Sequence, residues 1–300
     1  MWKKSKIFNA ICKFNANSIG VKITLILFFL FFVAMAIIHV YPFIWVINNS
    51  LREEFFINQN SMKIAESFKF SNYLDVFKGF RVGTSNGEVY YFTMLFNSVW
   101  QTAVFLIVNL ASSTIVAYNL AKFRFPGRNF LYGFLIFVQT IPIFGASGAD
   151  FKLKFSLGMI NNPSTIWISW LMGFDYSAFI MFGAFSGISN SYSESAEIDG
   201  ANEFRIFFSV VLPQAVPALL ALMVTNFVTR WNNYELSQIL LRDYPSLAYG
   251  LFVAWKDINL PLDAGGKYAA LVLIAIPGVV LYASMQNLII KNMNVGGLKG

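Results

Sequence analysis

Three hundred residues with 57% hydrophobic side chains, 33 phenylalanines and only 12% charged residues fall outside the range of soluble domains, in which about a quarter of residues carry charge. The composition is that of a polytopic membrane protein. A net charge of +7 does not indicate nucleic-acid binding, because the basic residues are scattered at the ends of apolar runs, where they anchor at lipid headgroups, instead of forming one stripe.

In chain order, residues 1–22 carry Lys3, Lys4, Lys6, Lys13 and Lys22 with no cleavage-site pattern behind a short apolar core, which argues against a removed signal. They read either as a basic cytoplasmic tail or as an amphipathic elbow built on Trp2, Ile7, Phe8 and Ile11. Cys12, the sole cysteine, excludes an internal disulfide and a cysteine-based metal site. A first span is expected at about 23–47, long enough for roughly 30 Å of hydrocarbon. His39 lies inside it without an acidic neighbour one turn away, which favours hydrogen-bonded packing over a proton path.

Residues 48–91 are polar and mixed in charge and read as an external loop with some helix. The second span, about 92–119, places Asn97, Gln101 and Asn109 on one helical face. Amides are costly against lipid, so that face should look inward, either to line a solute pathway or to hydrogen-bond between helices, the latter being preferred. Lys122, Arg124 and Arg128 around Pro126-Gly127 make a tight cationic reversal. A third span follows at about 129–145, then an external segment with Lys152 and Lys154.

The fourth span, about 164–188, has Asp175 near its centre. A charge at that depth should face a wet cavity, pair with a cation or be protonated. It is read either as a binder of ligand hydroxyls, with Trp167, Trp170 and Tyr176 as stacking surfaces, or as one half of an ion pair with Arg230 or another subunit. The fifth span, about 214–229, ends in Arg230-Trp231-Asn232-Asn233-Tyr234-Glu235, and the sixth, about 267–290, is broken at Pro277 and leads to a tail at 291–300.

Between the fourth and fifth spans lies a charged island, residues 190–213. Ser191 and Glu194 have the spacing of a reciprocal helix cap. Gly200 interrupts the pattern, and Phe204, Phe207, Phe208 and Val211 then recur at helical spacing until Leu212-Pro213, where the second helix is expected to end.

The residues Glu194-Ser195-Ala196, Asp199-Gly200-Ala201 and Leu212-Pro213 resemble the EAA motif of permease subunits of binding-protein-dependent ABC importers, in the carbohydrate branch, with Ser195 standing where that family has alanine. The turn Ala117 to Arg128, the Trp231-Asn232 pair, the stretch Pro245 to Leu251 and the ending Val295 to Gly300 are similar to further stretches of that branch, the ending to a sub-branch for oligosaccharides of complex polysaccharides. The resemblance, which spans roughly residues 40–300, implies an all-α membrane protein with six transmembrane helices of the type I ABC importer permease kind and a cytoplasmic coupling helix. It implies Glu194, Ser195, Ala196, Asp199, Gly200, Ala201, Leu212 and Pro213 as the ATPase-coupling residues. Asp175, Asn97, Gln101, Trp231, Asn232 and Asn233 are the candidate pathway residues. The implied partners are a second homologous permease subunit, two ATP-binding subunits, an extracellular sugar-binding protein, the sugar itself and membrane lipid.

No cofactor is expected in this chain; ATP and Mg belong on the partner ATPase, since the one Gly-Lys pair, Gly266-Lys267, is followed by Tyr268 and cannot make a phosphate loop. The chain is expected in a bacterial cell membrane with both termini cytoplasmic. Lys and Arg divide evenly between the two sides under this topology, so orientation rests on the lysines before the first span and on the coupling loop. Permeation of a non-sugar solute, an ion-coupled secondary transporter and an intramembrane enzyme are the rival functions. The last two would need a second intramembrane carboxylate or a catalytic constellation that His39 and Asp175 alone do not make.

Overall fold

The computed structural model describes residues 19–141, 147–171, 173–257 and 260–296, so the elbow residues 1–18, Pro142 and the last four residues lie outside it. The first helix, α1 (Ile19–Ser50), is predominantly apolar and buries only Asn49 and Ser50 at its C-terminal end. Its exposed phenylalanines, Phe28 to Phe32 among them, are the lipid-facing surface that a bilayer requires. His39 is exposed and its Nδ1 lies 2.7 Å from the Met35 carbonyl one turn back.

The loop that follows is more ordered than its polarity predicts. It holds α2 (Glu54–Gln59), α3 (Ser71–Gly79) and an antiparallel hairpin, β1 (Arg81–Thr84) and β2 (Gly87–Tyr90). The hairpin was not expected, although Asn86-Gly87 between short alternating segments is its signal. Arg52 is buried and satisfied by Asn49 Oδ1 and the Asn60 and Phe56 carbonyls.

The hairpin tip is fastened to distant segments by one carboxylate. Asp243 accepts from the Ser85 amide at 2.9 Å, the Ser85 hydroxyl and the Asn161 amide. These donors hold its carboxyl below the usual carboxylate range, the Ser85 hydroxyl contributing most. A lowered folded-state pKa means that the latch is fully present above the ordinary Asp value and is lost as pH falls through the folded one. Cleavage at Ser85–Gly87 by an acid-tolerant protease is therefore expected to accelerate several-fold below about pH 4, and D243N should show the same exposure at neutral pH. Equal cleavage of D243N and the parent at pH 7 would refute the latch.

The central helix is α4 (Tyr91–Lys122). The reversal after it turns on Gly127, whose φ of +86° is open to glycine at little cost, and α5 (Arg128–Thr140) runs back. At 13 residues, about 20 Å by helical rise, α5 is shorter than a span. The segment after it contains α6 (Ser147–Ser156), with Lys154 paired to Asp150 at 2.6 Å.

The expected fourth span is not continuous. It breaks into α7 (Pro163–Ile166), a 3₁₀ turn (Trp167–Trp170), an irregular stretch and α8 (Tyr176–Ser186), because Gly173 turns the chain with φ +61° and Asp175 starts a new helix. The charged island forms α9 (Ser191–Ile198). The next helix, α10 (Glu203–Trp231), does not end at Leu212-Pro213. A π turn at Phe207–Val211 widens the ladder where Pro213 has no amide to donate, and α-helix resumes at Leu212. A further π turn (Leu236–Leu240), α11 (Leu247–Lys256) and α12 (Ala264–Gly296) complete the order.

Among the described residues four helices are long and apolar enough to cross a membrane, α1, α4, α10 and Ala264–Ser284 of α12; the third and fourth expected spans are the short α5 and the broken α7–α8. Two clusters make most of the core. One joins α3, the hairpin, α4, α11 and α12 through Phe80, Met94, Leu247 and Ile274. The other joins α4, α8 and α10 through Leu110, Tyr118, Met181, Phe185 and Val211, and it carries the kinked loop.

Candidate functional site

The loop from Ser191 to Leu212 is shaped by local chemistry. The expected reciprocal cap between Ser191 and Glu194 does not form. The residue before α9 is Asn190 in helical conformation, without a side-chain cap; the Ser189 hydroxyl receives the Ser191 amide at 3.3 Å instead, and Ser195 turns its hydroxyl back to the Ser191 carbonyl at 2.8 Å.

At the other end of α9 the closure is specific. The Ala201 amide donates to the Ala196 carbonyl and the Gly200 amide to the Glu197 carbonyl, both at 2.9 Å. This six-to-one and five-to-two pair is the Schellman arrangement, which needs a left-handed residue at its turn; Gly200 supplies φ +79°. Ala196 and Ala201, on either side of the turn, each pack against the α4–α8–α10 core. Asn202 then caps α10 by accepting from the Arg205 amide at 2.9 Å. The spacing of Ala196, Gly200 and Ala201 is thus the covalent form of a helix stop followed at once by a helix start.

This closed kink presents Glu194, Ser195 and Asp199 to solvent. Beside them stand large apolar side chains that are left uncovered, Ile198 at 86% and Phe204 at 77% exposure, an arrangement typical of a protein contact surface. Leu212 and Pro213 lie inside α10, just above the π turn. Lys122 holds the approach to the kink, donating to the Ile188 carbonyl and to Asn190 Oδ1 at 3.1 Å. Next to it an open cavity of about 300 Å³ is bordered by Tyr118, Phe123, Phe204, Phe207 and Phe208.

The expected pathway residues do not gather in one place. Asn97 and Gln101 are buried at 5% and 3% exposure, and their amides bond the Pro245 and Tyr244 carbonyls at 3.0 and 2.9 Å, joining α4 to the segment before α11. Trp231 is buried, stacks on Phe227 and donates to the Ile274 carbonyl at 2.9 Å. Asn232 bonds back to the Val228 carbonyl, and Asn233 accepts the Leu236 amide. Of these residues, Asn232 is the exposed one.

Asp175 is not a mid-helix charge. It caps α8, accepting from the Ala178 amide at 3.0 Å, Ser113 Oγ at 2.7 Å and Asn109 Nδ2 at 2.8 Å. Asn226 of α10 extends the network to Ser177 Oγ at 2.9 Å, so three helices meet through one polar knot. Ser113, Ser177 and Asn226 went unread in the sequence; an amide at 226, inside an apolar span, was the available signal. The ion pair between Asp175 and Arg230, one of the alternatives for this carboxylate, does not form; Arg230 lies against the rings of Trp170 and Phe105, 4.6 and 4.9 Å from their centroids.

Four long apolar helices, a polar knot in place of lipid-facing amides and an exposed kink on the core describe a polytopic transport subunit. The chain belongs to the family of binding-protein-dependent transport system inner membrane components, whose model matches residues 110–295. It is 30% identical over 285 residues to the galactooligosaccharides transport system permease protein GanQ of Bacillus subtilis, covering 93% of this chain and 96% of that protein. It is 27% identical to the diacetylchitobiose uptake system permease protein NgcG of Streptomyces coelicolor, covering 87% and 84%. Its fold matches a chain in the crystal structure of a bacterial ABC transporter involved in the import of the acidic polysaccharide alginate, with a TM-score of 0.71, 24% identity and coverage of 90% and 98%.

Proposed function

We propose that this chain is one permease half of an ATP-driven oligosaccharide importer in a bacterial cell membrane, paired with a second related permease subunit. Two ATP-binding subunits sit on its cytosolic face and carry ATP and Mg, and an external binding protein delivers the sugar. Both termini are cytosolic. The observation that carries this reading is the kink at α9–α10, where exposed Glu194, Ile198 and Phe204 stand on a turn locked to the core by Ala196 and Ala201. Glu194 supplies a polar contact to the ATPase, Gly200 the turn, and the two alanines the close packing. Closure of the ATPases pulls the kink inward and alternates access to the passage. The sugar relatives support the substrate class.

Charge reversal at Glu194 tests the coupling role. E194K is expected to lower oligosaccharide uptake more than tenfold, with a normal amount of protein in the membrane. Uptake at the parental rate would remove Glu194 from the contact. Sidedness is tested with a cysteine at Asn202 in a chain lacking Cys12. A membrane-impermeant maleimide should label it in inside-out vesicles and leave it unlabelled in intact cells; the reverse pattern would sink the topology.

A further inference from the structure

We propose that Arg230 is the carboxylate-binding residue of an acidic-sugar subsite at the Trp231 end of α10. The proposal rests on the reading of the chain as an oligosaccharide permease and adds the charge of the substrate. Arg230 occupies the last turn of α10, and its Nε and Nη2 are buried without a hydrogen-bond partner. Buried donors are almost always paired. The rings beside it, Trp170 and Phe105, meet edge to face at 5.9 Å and lie 4.6 and 4.9 Å from the guanidinium carbon, yet neither supplies an oxygen acceptor.

The surrounding groups leave the charge unanswered. Arg230 borders an open cavity of about 300 Å³ together with Ser169, Asn233, Glu235, Asp150 and Lys154. Asp150 is taken by Lys154; Glu235 borders the same cavity but makes no ion pair with Arg230, and among the described residues no carboxylate lies within ion-pair distance of that guanidinium. The unpaired atoms form the side edge of the guanidinium fork, whose two parallel N–H groups match the two oxygens of one carboxylate. Ser169 and Asn233 offer hydroxyl and amide groups to the ring hydroxyls of the same sugar, and the cavity has the size of a small ligand site. Because Nε and Nη2 are buried, binding requires the guanidinium to rotate outward about its own side-chain torsions.

The test uses the full complex with its partner subunits and binding protein in cells. The probes are galacturonate, glucuronate and mannuronate oligomers of two to four residues, each beside its carboxyl-reduced neutral counterpart, with import read by mass spectrometry. At least one acidic series is expected to be imported in preference to its reduced form. R230Q is expected to raise the concentration for half-maximal uptake of that series roughly tenfold or more, with little effect on residual neutral import, and R230K to fall between. Import of neutral oligomers alone overturns the acidic subsite and leaves the permease reading intact. An equal effect of R230Q on acidic and neutral oligomers overturns it as well. Loss of the partner permease on purification of R230Q assigns the guanidinium to a subunit contact instead. If the parent complex imports neither the acidic nor the reduced series, the acidic subsite is likewise overturned.

Discussion

Gly200→Val is expected to reduce uptake to background while the protein still reaches the membrane. An L residue in the left-handed region costs about 1–2 kcal/mol, and a β-branched one is a strong outlier there. An added Cβ at Gly200 meets nothing within 4 Å, so the penalty is one of backbone conformation alone. The chain escapes it by leaving φ +79°, which breaks the Ala201-to-Ala196 and Gly200-to-Glu197 bonds and swings α9 off the core. Asparagine, which tolerates the left-handed region, separates conformation from side-chain size: Gly200→Asn should keep most of the transport that valine abolishes. The measurement is uptake of labelled oligosaccharide normalised to membrane protein. A Gly200→Val chain that transports normally would mean that the kink geometry has no part in coupling.

The second large effect is expected at Asp175. Replacement by alanine removes the α8 cap, worth about 1 kcal/mol, and strips the acceptor from Asn109 and Ser113, which are 2% and 0% exposed. Each orphaned donor costs about 1–3 kcal/mol. A combined loss of about 3 kcal/mol or more corresponds to a fall of roughly 6 °C in the apparent melting temperature for a chain of this size, read by thermal unfolding in detergent. D175N keeps the shape and one acceptor oxygen and should lose less. An unchanged melting temperature in D175A would refute the polar knot, whereas D175N that melts normally but does not transport would return Asp175 to the pathway.

The parts of this molecule that were legible in the sequence are those whose cause is local. The stop and restart at Gly200 need only residues 196–202, and the inward face of α4 needs only the four-residue spacing of Asn97 and Gln101. The failures are equally physical. Residues 164–188 read as one span because hydropathy registers apolar content and is blind to a break whose freed backbone groups are capped by Asp175. Leu212-Pro213 reads as a helix end because proline cannot donate, and nothing nearby announces the π turn that accommodates it. The surroundings of Arg230 were not legible either, since the rings beside it lie at 105 and 170, far along the chain.

The 29-residue length of α10, about 43 Å by helical rise, has a mechanical consequence. Its compliant points, the π turn at Phe207–Val211 and Pro217, lie in its first half, close to the kink. Its far half is tied to α12 by the Trp231 indole on the Ile274 carbonyl. Flexure at the π turn therefore carries the 20 residues beyond it, about 30 Å of helix, along as one stiff arm, so a tilt of about ten degrees sweeps that tip through roughly 5 Å, a stroke on the scale of a sugar ring.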